Sequence, residues 1–244
     1  MTVQSPYDAM FSGVIGQHYD LLKLICPLSI EMSRLVGLSV SKYCQLSPKT
    51  TVVEVGGGTG ITTLAMLSEI NTAAFIISID NEPVMQNQAK QNLANWSKQL
   101  QFICEDALTA LKNLPNNSTD VVASAYTLHN FEHKYRRQVI DEIFRVLKPG
   151  GLFVNGDRYG LDEIDQHTLL VQNEIANYFK ALAPLNKIDV MEQWIIHLFN
   201  DESENHVMRE TPALNELHSL GFNNIQLCHR QEVNALVTAY KPST

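Results

Sequence analysis

The sequence has few cysteines, and they form no pattern that binds metal or builds a disulfide framework. Its four cysteines, Cys26, Cys44, Cys104 and Cys228, are widely spaced, and none belongs to a Cys-x-x-Cys pair. Structural zinc sites and small disulfide-rich domains depend on closely spaced cysteines. We therefore expect four reduced thiols in the protein core and no metal held by cysteine.

Positive charge is also scarce. The chain of 244 residues has 18 lysines and arginines against 26 aspartates and glutamates, which gives a formal net charge of -8. An acidic protein repels the phosphate backbone of nucleic acids and the surface of anionic membranes. We therefore expect neither nucleic acid nor membrane as a partner, but a small-molecule substrate bound by a monomer or a homodimer.

Long apolar runs and a recognisable leader are absent from the sequence. No apolar stretch reaches the roughly 20 residues that span a bilayer, and residues 1–10 lack a basic region followed by an apolar run and a cleavage site. We therefore expect a cytoplasmic protein. The composition, with 45% hydrophobic and 18% charged residues, fits the core of one large domain.

Strand patterns and helix patterns alternate along most of the chain. Short apolar runs lie at 51–55, 75–79, 100–104, 120–124 and 152–154, with helical stretches between them, and the first of these runs is rich in β-branched residues. Such alternation predicts an α/β fold with a parallel sheet and helices on both faces. Two further runs, at 225–228 and 235–240, predict a closing hairpin and bring the sheet to seven strands.

The predicted single domain has four parts. They are residues 1–46 (a helical cap), 47–160 (the cofactor-binding core), 161–208 (a helical lid insertion) and 209–244 (a closing helix and the hairpin). Trp194 and His197 share one face of a lid helix, so they are expected to pack in the core or to close over a substrate. For the closing helix, Thr211 is the predicted N-cap, Pro212 the first helical residue and Gly221 the residue after the end.

A glycine-rich turn follows the first predicted strand. Glu54 ends that strand, and Gly56, Gly58 and Gly60 lead into a helix. Glycine permits positive φ and lets a ligand approach the backbone closely. The dinucleotide fingerprint needs a third glycine at position 61, where the chain has Ile61. Glu54 also suits a ligand that carries an ammonium or sulfonium group, so the turn favours a cationic ligand over a dinucleotide.

Carboxylates follow the next two strands. Asp80 comes after the second strand, where a carboxylate can accept hydrogen bonds from both hydroxyls of a ribose. Asp106 and Ala107 follow the third strand, where a side-chain acceptor and a backbone N–H can recognise the edge of an adenine. Each aspartate has an alternative role as a helix N-cap. Their joint position at the strand ends, together with Glu54, favours a nucleoside site.

These motifs together resemble the class I S-adenosylmethionine-dependent methyltransferases. The resemblance covers EVGGGTG, SIDN, CEDA and LKPGG, between residues 52 and 154. It implies a Rossmann-like sheet of seven strands with an antiparallel last strand, and S-adenosyl-L-methionine as the cofactor. It also implies contacts of Gly56 and Gly58 with the methionine moiety, of Asp80 with the ribose and of Asp106 with the adenine. The remaining residues expected at the cofactor are Tyr19, Glu54, Gly60, Asn81, Ala107 and Ala125.

Candidate catalytic residues follow the fourth and fifth strands. Methyl transfer depends chiefly on holding donor and acceptor close and aligned, and a base helps when the acceptor must lose a proton. His129 is the first candidate for this base, with Tyr126 beside it; the alternative is that His129 is a structural residue of the cofactor pocket. Asp157 and its neighbour Arg158 also border the predicted site, where a salt-bridged loop is the alternative.

A metal is not expected from the sequence. His129 and His133 have the four-residue spacing at which two helical histidines can share an ion, with Glu132 between them. The third ligand is missing, and the segment lies where a helix only begins.

Two other functions remain open beside methyl transfer to a small metabolite. Residues 121–151 and the capping helices are similar to the carboxy-S-adenosylmethionine synthases, which modify the donor and grip an extra carboxylate with arginines. Residues 191–199 contain no arginine, and only Arg158 and Arg209 are plausible substitutes. The other possibility is a protein that binds the cofactor and catalyses nothing.

Overall fold

The structure is a computed structural model that describes residues 21–47, 49–70 and 73–243. Seven strands form one sheet in this part of the chain. In chain order they are β1 (Lys49–Val55), β2 (Ala73–Ile79), β3 (Leu100–Ile103), β4 (Thr119–Ala125), β5 (Leu147–Arg158), β6 (Asn223–Gln231) and β7 (Asn234–Tyr240).

The strands lie in the order β3-β2-β1-β4-β5-β7-β6, and β1 to β5 are parallel. The last strand, β7, is antiparallel to both β5 and β6. The chain builds the sheet outwards from β1 to β3 and then crosses to β4 on the other side of β1. Strand order therefore reverses between β1 and β4, where open α/β sheets leave a crevice. The predicted doubly wound sheet of seven strands with an antiparallel last strand is confirmed.

Helices cover both faces of this sheet. Those in the described residues are α1 (Leu22–Ile25), α2 (Leu28–Cys44), α3 (Ile61–Glu69), α4 (Pro83–Asn92), α5 (Ala107–Lys112), α6 (His133–Val146), α7 (Ile164–Leu182), α8 (Ile188–Asp201) and α9 (Glu210–Ser219). Val52 of β1 packs with Met32 and Met66 on one face, whereas its neighbour Val53 packs with Ile143 on the other. A parallel strand buried on both faces needs apolar residues at successive positions, which explains the continuous apolar runs.

The helix α2 packs along the sheet. A Cβ atom on Gly156 of β5 would lie 2.7 Å from Met32 Cγ and 2.8 Å from Val36 Cγ2, so the missing side chain lets the helix approach the strand closely. The sequence places this helix in a cap. In the structure only its first residues, such as Ser29 and Ser33, reach the crevice, while the rest of α2 covers the sheet.

The closing helix begins differently from the prediction. Thr211 is not its N-cap, because α9 starts at Glu210 and Arg209 occupies the N-cap position. The backbone N–H of Thr211 instead donates a hydrogen bond to Asp162 Oδ1 at 3.2 Å. A carboxylate from another segment therefore satisfies this helix terminus. Gly221 follows the helix with a φ of +100°, as predicted.

The prediction of four core cysteines is also wrong. All four thiols are free, but Cys104 and Cys228 are exposed, and only Cys44 is fully buried.

The fifth strand starts earlier than predicted, because β5 already includes residues 147–151 before the apolar run.

The insertion after β5 consists mainly of α7 and α8. These helices form a separate apolar cluster in which Tyr178 and Leu182 of α7 pack with Trp194 and Leu198 of α8. Ile25 of α1 joins this cluster, so the insertion is fastened to the start of the described chain. Among the described residues, none of the helices combines the length and the apolar character that a membrane span requires.

Candidate cofactor and acceptor site

A cavity lies at the carboxyl ends of β1 to β4, at the position where strand order reverses. Its walls consist of the turn after β1, the residues that follow β2 and β3, and the segment after β4. The insertion helices close the far end with the side chains of Glu174, Trp194, His197 and Asp201. The cavity therefore extends from the predicted cofactor residues to a part lined by buried residues of the insertion, which we call the enclosed compartment.

The glycine turn presents backbone to the cavity. Gly56 and Gly58 line it, and both have positive φ, of +76° and +52°. A Cβ on Gly56 would lie only 2.0 Å from Thr127 Oγ1, whereas a Cβ on Gly58 would meet no atom within 4 Å. Gly56 is thus required by close packing within the protein, and Gly58 faces open space. Gly60, predicted as a contact, begins the helix α3 outside the cavity lining.

Glu54 lies behind this turn. Its side chain is fully buried and does not line the cavity. Its Oε2 accepts hydrogen bonds from Thr63 Oγ1 at 2.5 Å and from Ser78 Oγ at 2.7 Å, while Oε1 has no hydrogen-bond partner in the part of the chain that the structure describes. Burial raises the pKa of Glu54, and the two hydroxyl donors oppose that rise. The structure therefore places Glu54 as a support of the turn, at a distance from the ligand position that the sequence assigns it.

Asp80 connects the end of β2 to the glycine turn. Its Oδ2 accepts the N–H of Gly58 at 2.7 Å, and its Oδ1 accepts the N–H of Glu82 at 2.8 Å. Burial raises the pKa of Asp80, and both N–H donors oppose that rise. Each carboxylate oxygen has two lone pairs, so a further donor can bind to each. Asn81 lies next to it in the cavity wall.

Asp106 has the capping role that the sequence left open as an alternative. It is the N-cap of α5, and its Oδ1 accepts both the N–H of Thr109 at 2.9 Å and the Thr109 hydroxyl at 3.0 Å. Its Oδ2 accepts a hydrogen bond from the hydroxyl of Tyr135. Asp106 and Ala107 still line the cavity. Both carboxylate oxygens are already engaged, so a ligand would share them with the protein.

His129 and Asp157 form a buried pair between the two compartments. His129 Nδ1 lies 2.5 Å from Asp157 Oδ1, and the side chains are 7% and 0% exposed. Asp157 also accepts the N–H groups of Leu128 at 2.9 Å and of Arg158 at 2.8 Å. Burial raises the pKa of Asp157, but the charge and hydrogen bond of His129 and the N–H of Arg158 outweigh it, so this pKa lies below its usual value. His129 lines the cavity, and Asp157 lies behind it.

Tyr126 and Ala125 end the fourth strand at the cavity wall. Tyr126 has a φ of +49°, which is uncommon for a residue with a side chain. Its hydroxyl donates to Asn234 Oδ1 at 2.8 Å, and its ring contacts that of His129 edge-on, with the centroids 6.3 Å apart. Burial and the nearby Cys26 and Asp157 raise the pKa of Tyr126 far above its usual value. The raised pKa argues against Tyr126 as a base, and its one hydroxyl proton is already donated to Asn234, so its ring contributes mainly to the cavity wall.

Arg158 is surrounded by carboxylates of the insertion. Its Nη1 donates to both oxygens of Glu174 at 2.9 and 3.0 Å, and its Nη2 donates to Glu202 Oε1 at 3.0 Å. Burial lowers the pKa of Arg158, but Glu174, Asp201 and Glu202 outweigh it and hold the guanidinium charged. His167 Nε2 lies 2.5 Å from the other oxygen of Glu202. The salt-bridged arrangement that the sequence left open for Arg158 is the one observed.

Several residues of the enclosed compartment were not found by sequence analysis. Glu174, Tyr178 and Asp201 line the cavity but follow no strand, so the rule that strand ends meet at one edge does not identify them. One pattern could have indicated Asp201, since it lies one helical turn after His197. Tyr19, predicted at the cofactor, lies outside the described residues.

The fold and the position of the cavity resemble those of the class I S-adenosylmethionine-dependent methyltransferases. Residues 52–151 match a family model described as a methyltransferase domain. The resemblance noted from the motifs is confirmed for this segment.

Individual relatives extend the similarity beyond that segment. A protein named carboxy-S-adenosyl-L-methionine synthase from Hydrogenovibrio crunogenus is 26% identical over 229 residues, which cover 89% of this chain and 84% of that protein. The crystal structure of the CurJ carbon methyltransferase aligns with a TM-score of 0.69 at 15% identity, over 93% of this chain and 58% of that chain. An O-methyltransferase family protein from Burkholderia thailandensis aligns with a TM-score of 0.65 at 16% identity, over 88% of this chain and 57% of that chain.

This chain thus spans less than two thirds of each of these two solved structures. At such low identity, the structural likeness establishes the fold alone.

Proposed function

We propose that this protein binds S-adenosyl-L-methionine at the carboxyl edge of its sheet and transfers the methyl group to a small molecule held under α7 and α8. The observation that carries the proposal is the continuity of one cavity. It runs from Gly58, Asp80 and Asp106 at one end to His129 and His197 at the other. A donor and an acceptor can therefore meet inside one enclosed site, as in-line transfer requires.

The donor end is suited to a cationic nucleoside. Gly58 leaves its surface open towards the cavity, so the methionine moiety can lie against the backbone. Asp80 has lone pairs left for the two ribose hydroxyls, and Asp106 and Ala107 stand where the adenine would lie. The nearby carboxylate of Asp80 also attracts a positively charged sulfonium and repels a negatively charged pyrophosphate.

The acceptor end supports removal of a proton. When His129 donates from Nδ1 to Asp157, its Nε2 carries a lone pair. In the proposed step the acceptor oxygen or nitrogen forms a bond to the methyl carbon while the carbon–sulfur bond breaks. The sulfonium becomes a neutral thioether, and the acceptor's proton passes to His129 Nε2. Asp157 acts through His129 as a positioning residue.

The carboxy-S-adenosylmethionine synthase activity is the second candidate, because relatives that cover most of the chain carry that name. It requires a cation for the added carboxylate. Arg158 is already paired with Glu174 and Glu202, and Arg209 donates to the carbonyl of Leu161. Neither guanidinium is left available in the cavity, which favours methyl transfer.

Calorimetric titration with S-adenosyl-L-methionine and with its demethylated product tests the donor site. Asp80→Ala should weaken binding by about 3 kcal/mol or more, which is over about 100-fold in Kd, because two hydrogen bonds to a charged group are lost. Asp80→Asn, which keeps one acceptor oxygen, should weaken it less.

Asp120→Asn is the matched control. Asp120 also accepts a hydrogen bond from a backbone N–H, that of Thr51. It lies at the start of β4, however, and therefore at the amino ends of the parallel strands, away from the cavity. Equal affinity of the wild type and Asp80→Ala would refute the donor site. Mass spectrometry of the nucleoside after turnover separates the two activities, since only the synthase adds a carboxylate to the donor.

A further inference from the structure

Three potential metal ligands converge in the enclosed compartment. His129 follows β4, whereas His197 and Asp201 lie one turn apart on α8. His129 Nε2 lies 3.7 Å from Asp201 Oδ2, and His197 Nε2 lies 3.6 Å from the same oxygen. All three ligand atoms are within 4.8 Å of one another. Ligand atoms about 2.1 Å from one tetrahedral ion are about 3.4 Å apart, so the two distances to Asp201 Oδ2 are close to those expected around a shared ion.

The carboxylate of Asp201 is an unusual buried group. Its residue is 6% exposed, and its Oδ1 has no hydrogen-bond partner among the described residues. An unsatisfied buried carboxylate oxygen is costly, and an ion bound at Oδ2 of the same carboxylate would offset this cost, since carboxylates coordinate ions through one or both oxygens. The oxygen belongs to a side chain that lines the cavity.

The surroundings of His129 are those of a metal-bound histidine. Asp157 Oδ1 engages Nδ1 and so leaves Nε2 as the ligand atom on the side of Asp201. Metal-ligating histidines almost always use their other ring nitrogen in this way, which fixes the tautomer and the ring orientation.

The charge of the compartment favours a cation. Three carboxylates, those of Glu174, Asp201 and Glu202, lie within 3.9 Å of the guanidinium of Arg158, and their side chains are at most 21% exposed. Together with the guanidinium, they leave an excess of two negative charges before any histidine is protonated. Arg158 Nε lies 3.9 Å from Asp201 Oδ2, but Glu174 and Glu202 already neutralise that guanidinium.

We propose that His129, His197 and Asp201 bind one divalent transition-metal ion, whose remaining coordination positions face the cavity. Two imidazoles and one carboxylate suit zinc, iron(II) and related ions, and a site with three protein ligands keeps room for an exogenous oxygen. Binding of the ion is independent of the donor.

The role of the ion rests on the proposed function. It would hold an acceptor with a hydroxyl or enol oxygen and lower the pKa of that oxygen, so that the proton is lost to solvent water and the oxygen then bonds to the methyl carbon as the carbon–sulfur bond breaks. The ion would then replace His129 Nε2 as the group that makes the acceptor nucleophilic, while His129 holds the ion.

Titration of chelator-treated protein with Co²⁺, without donor or acceptor, tests the site. We expect one ion per chain, visible absorption bands typical of a coordinated Co²⁺, and their loss when Zn²⁺ is added. His197→Ala and Asp201→Asn should each weaken binding by about 100-fold or more, and Asp157→Asn by about 10- to 100-fold because it removes the group that orients His129.

The matched control is His133→Gln. His133 is four residues from His129 and exposed, and its Nε2 bonds to the carbonyl of Val207, so Co²⁺ affinity should stay unchanged. No binding at millimolar Co²⁺, or equal binding in wild type and Asp201→Asn, would overturn the proposal. Thermal unfolding of each variant identifies any loss that comes from misfolding, in which case His197→Gln replaces His197→Ala.

The two proposals fail separately. Metal binding without any affinity for the nucleoside would refute the proposed function and retain the metal site. Affinity for the nucleoside without metal binding would do the opposite.

Discussion

Replacing Arg158 by methionine removes the one guanidinium that faces Glu174, Asp201 and Glu202. Methionine is unbranched and fills most of the same space, so the change acts mainly on charge. The Arg158 side chain is 12% exposed, and the two carboxylates that it bonds directly are 21% and 16% exposed. Removing one partner of such a buried arrangement costs about 3–5 kcal/mol, because the other charges stay buried without compensation.

That loss corresponds to a large fall in thermal stability. For a chain of this size, 1 kcal/mol shifts Tm by about 2–4 °C, so Tm should fall by roughly 6–20 °C. Denaturant unfolding, followed by circular dichroism, measures the free energy directly. Arg137→Met is the control, because Arg137 is 55% exposed and pairs with Glu216 at 3.3 Å on the surface. It should cost no more than about 1 kcal/mol.

The effect of Arg158→Met also has a defined pH dependence. Burial raises the pKa of Glu202, but the hydrogen bond from His167 and the charge of Arg158 outweigh it, so this pKa lies below 4.5. A carboxyl group whose pKa is lower in the folded than in the unfolded protein stabilises the protein at pH values above the unfolded pKa. This stabilisation is lost as the pH falls through the pKa of the folded protein. The difference between wild type and Arg158→Met should therefore narrow below about pH 4.5.

A double variant checks the reasoning. Arg158→Met combined with Glu174→Gln should recover part of the lost stability, because it removes one of the uncompensated charges. A loss for Arg158→Met no larger than that for Arg137→Met would show that the buried carboxylates do not depend on this guanidinium.

Two further predictions concern the glycine turn. Burial raises the pKa of Glu54 above 4.5, and a carboxyl group whose pKa is higher in the folded than in the unfolded protein makes the protein less stable as pH rises from the unfolded to the folded pKa. Glu54→Gln should therefore gain stability relative to the wild type over this pH range. Parallel curves of Tm against pH between about pH 4 and pH 8 would contradict this. Gly58→Ala should cost about 1–2 kcal/mol of stability because of its φ of +52°. The same variant should also weaken binding of the demethylated cofactor by at least about tenfold, or about 1.4 kcal/mol, because the added methyl group enters the cavity; calorimetry showing equal affinity would place the ligand elsewhere.

The donor half of the site could be predicted because it depends on local patterns. Asp80 and Asp106 each follow a parallel strand, and parallel strands bring their carboxyl ends to one edge of a sheet. What those patterns could not predict is the direction of each side chain. Glu54 points behind the turn to Thr63, and Asp106 is engaged by Tyr135, because packing partners far along the chain supply the hydrogen bonds.

The sequence by itself determined the α/β sheet, its closing hairpin, the glycine turn and the helical character of the insertion. The spacing of apolar residues, the ends of strands and the residues in turns are local properties, so they can be predicted without knowledge of the tertiary contacts. Only the tertiary structure decided that His197 and Asp201 meet His129, since nothing in the local pattern sets where α8 docks. Its position is determined by the apolar face that packs Trp194 and Leu198 against α7, and burial of that face brings its polar residues into the cavity.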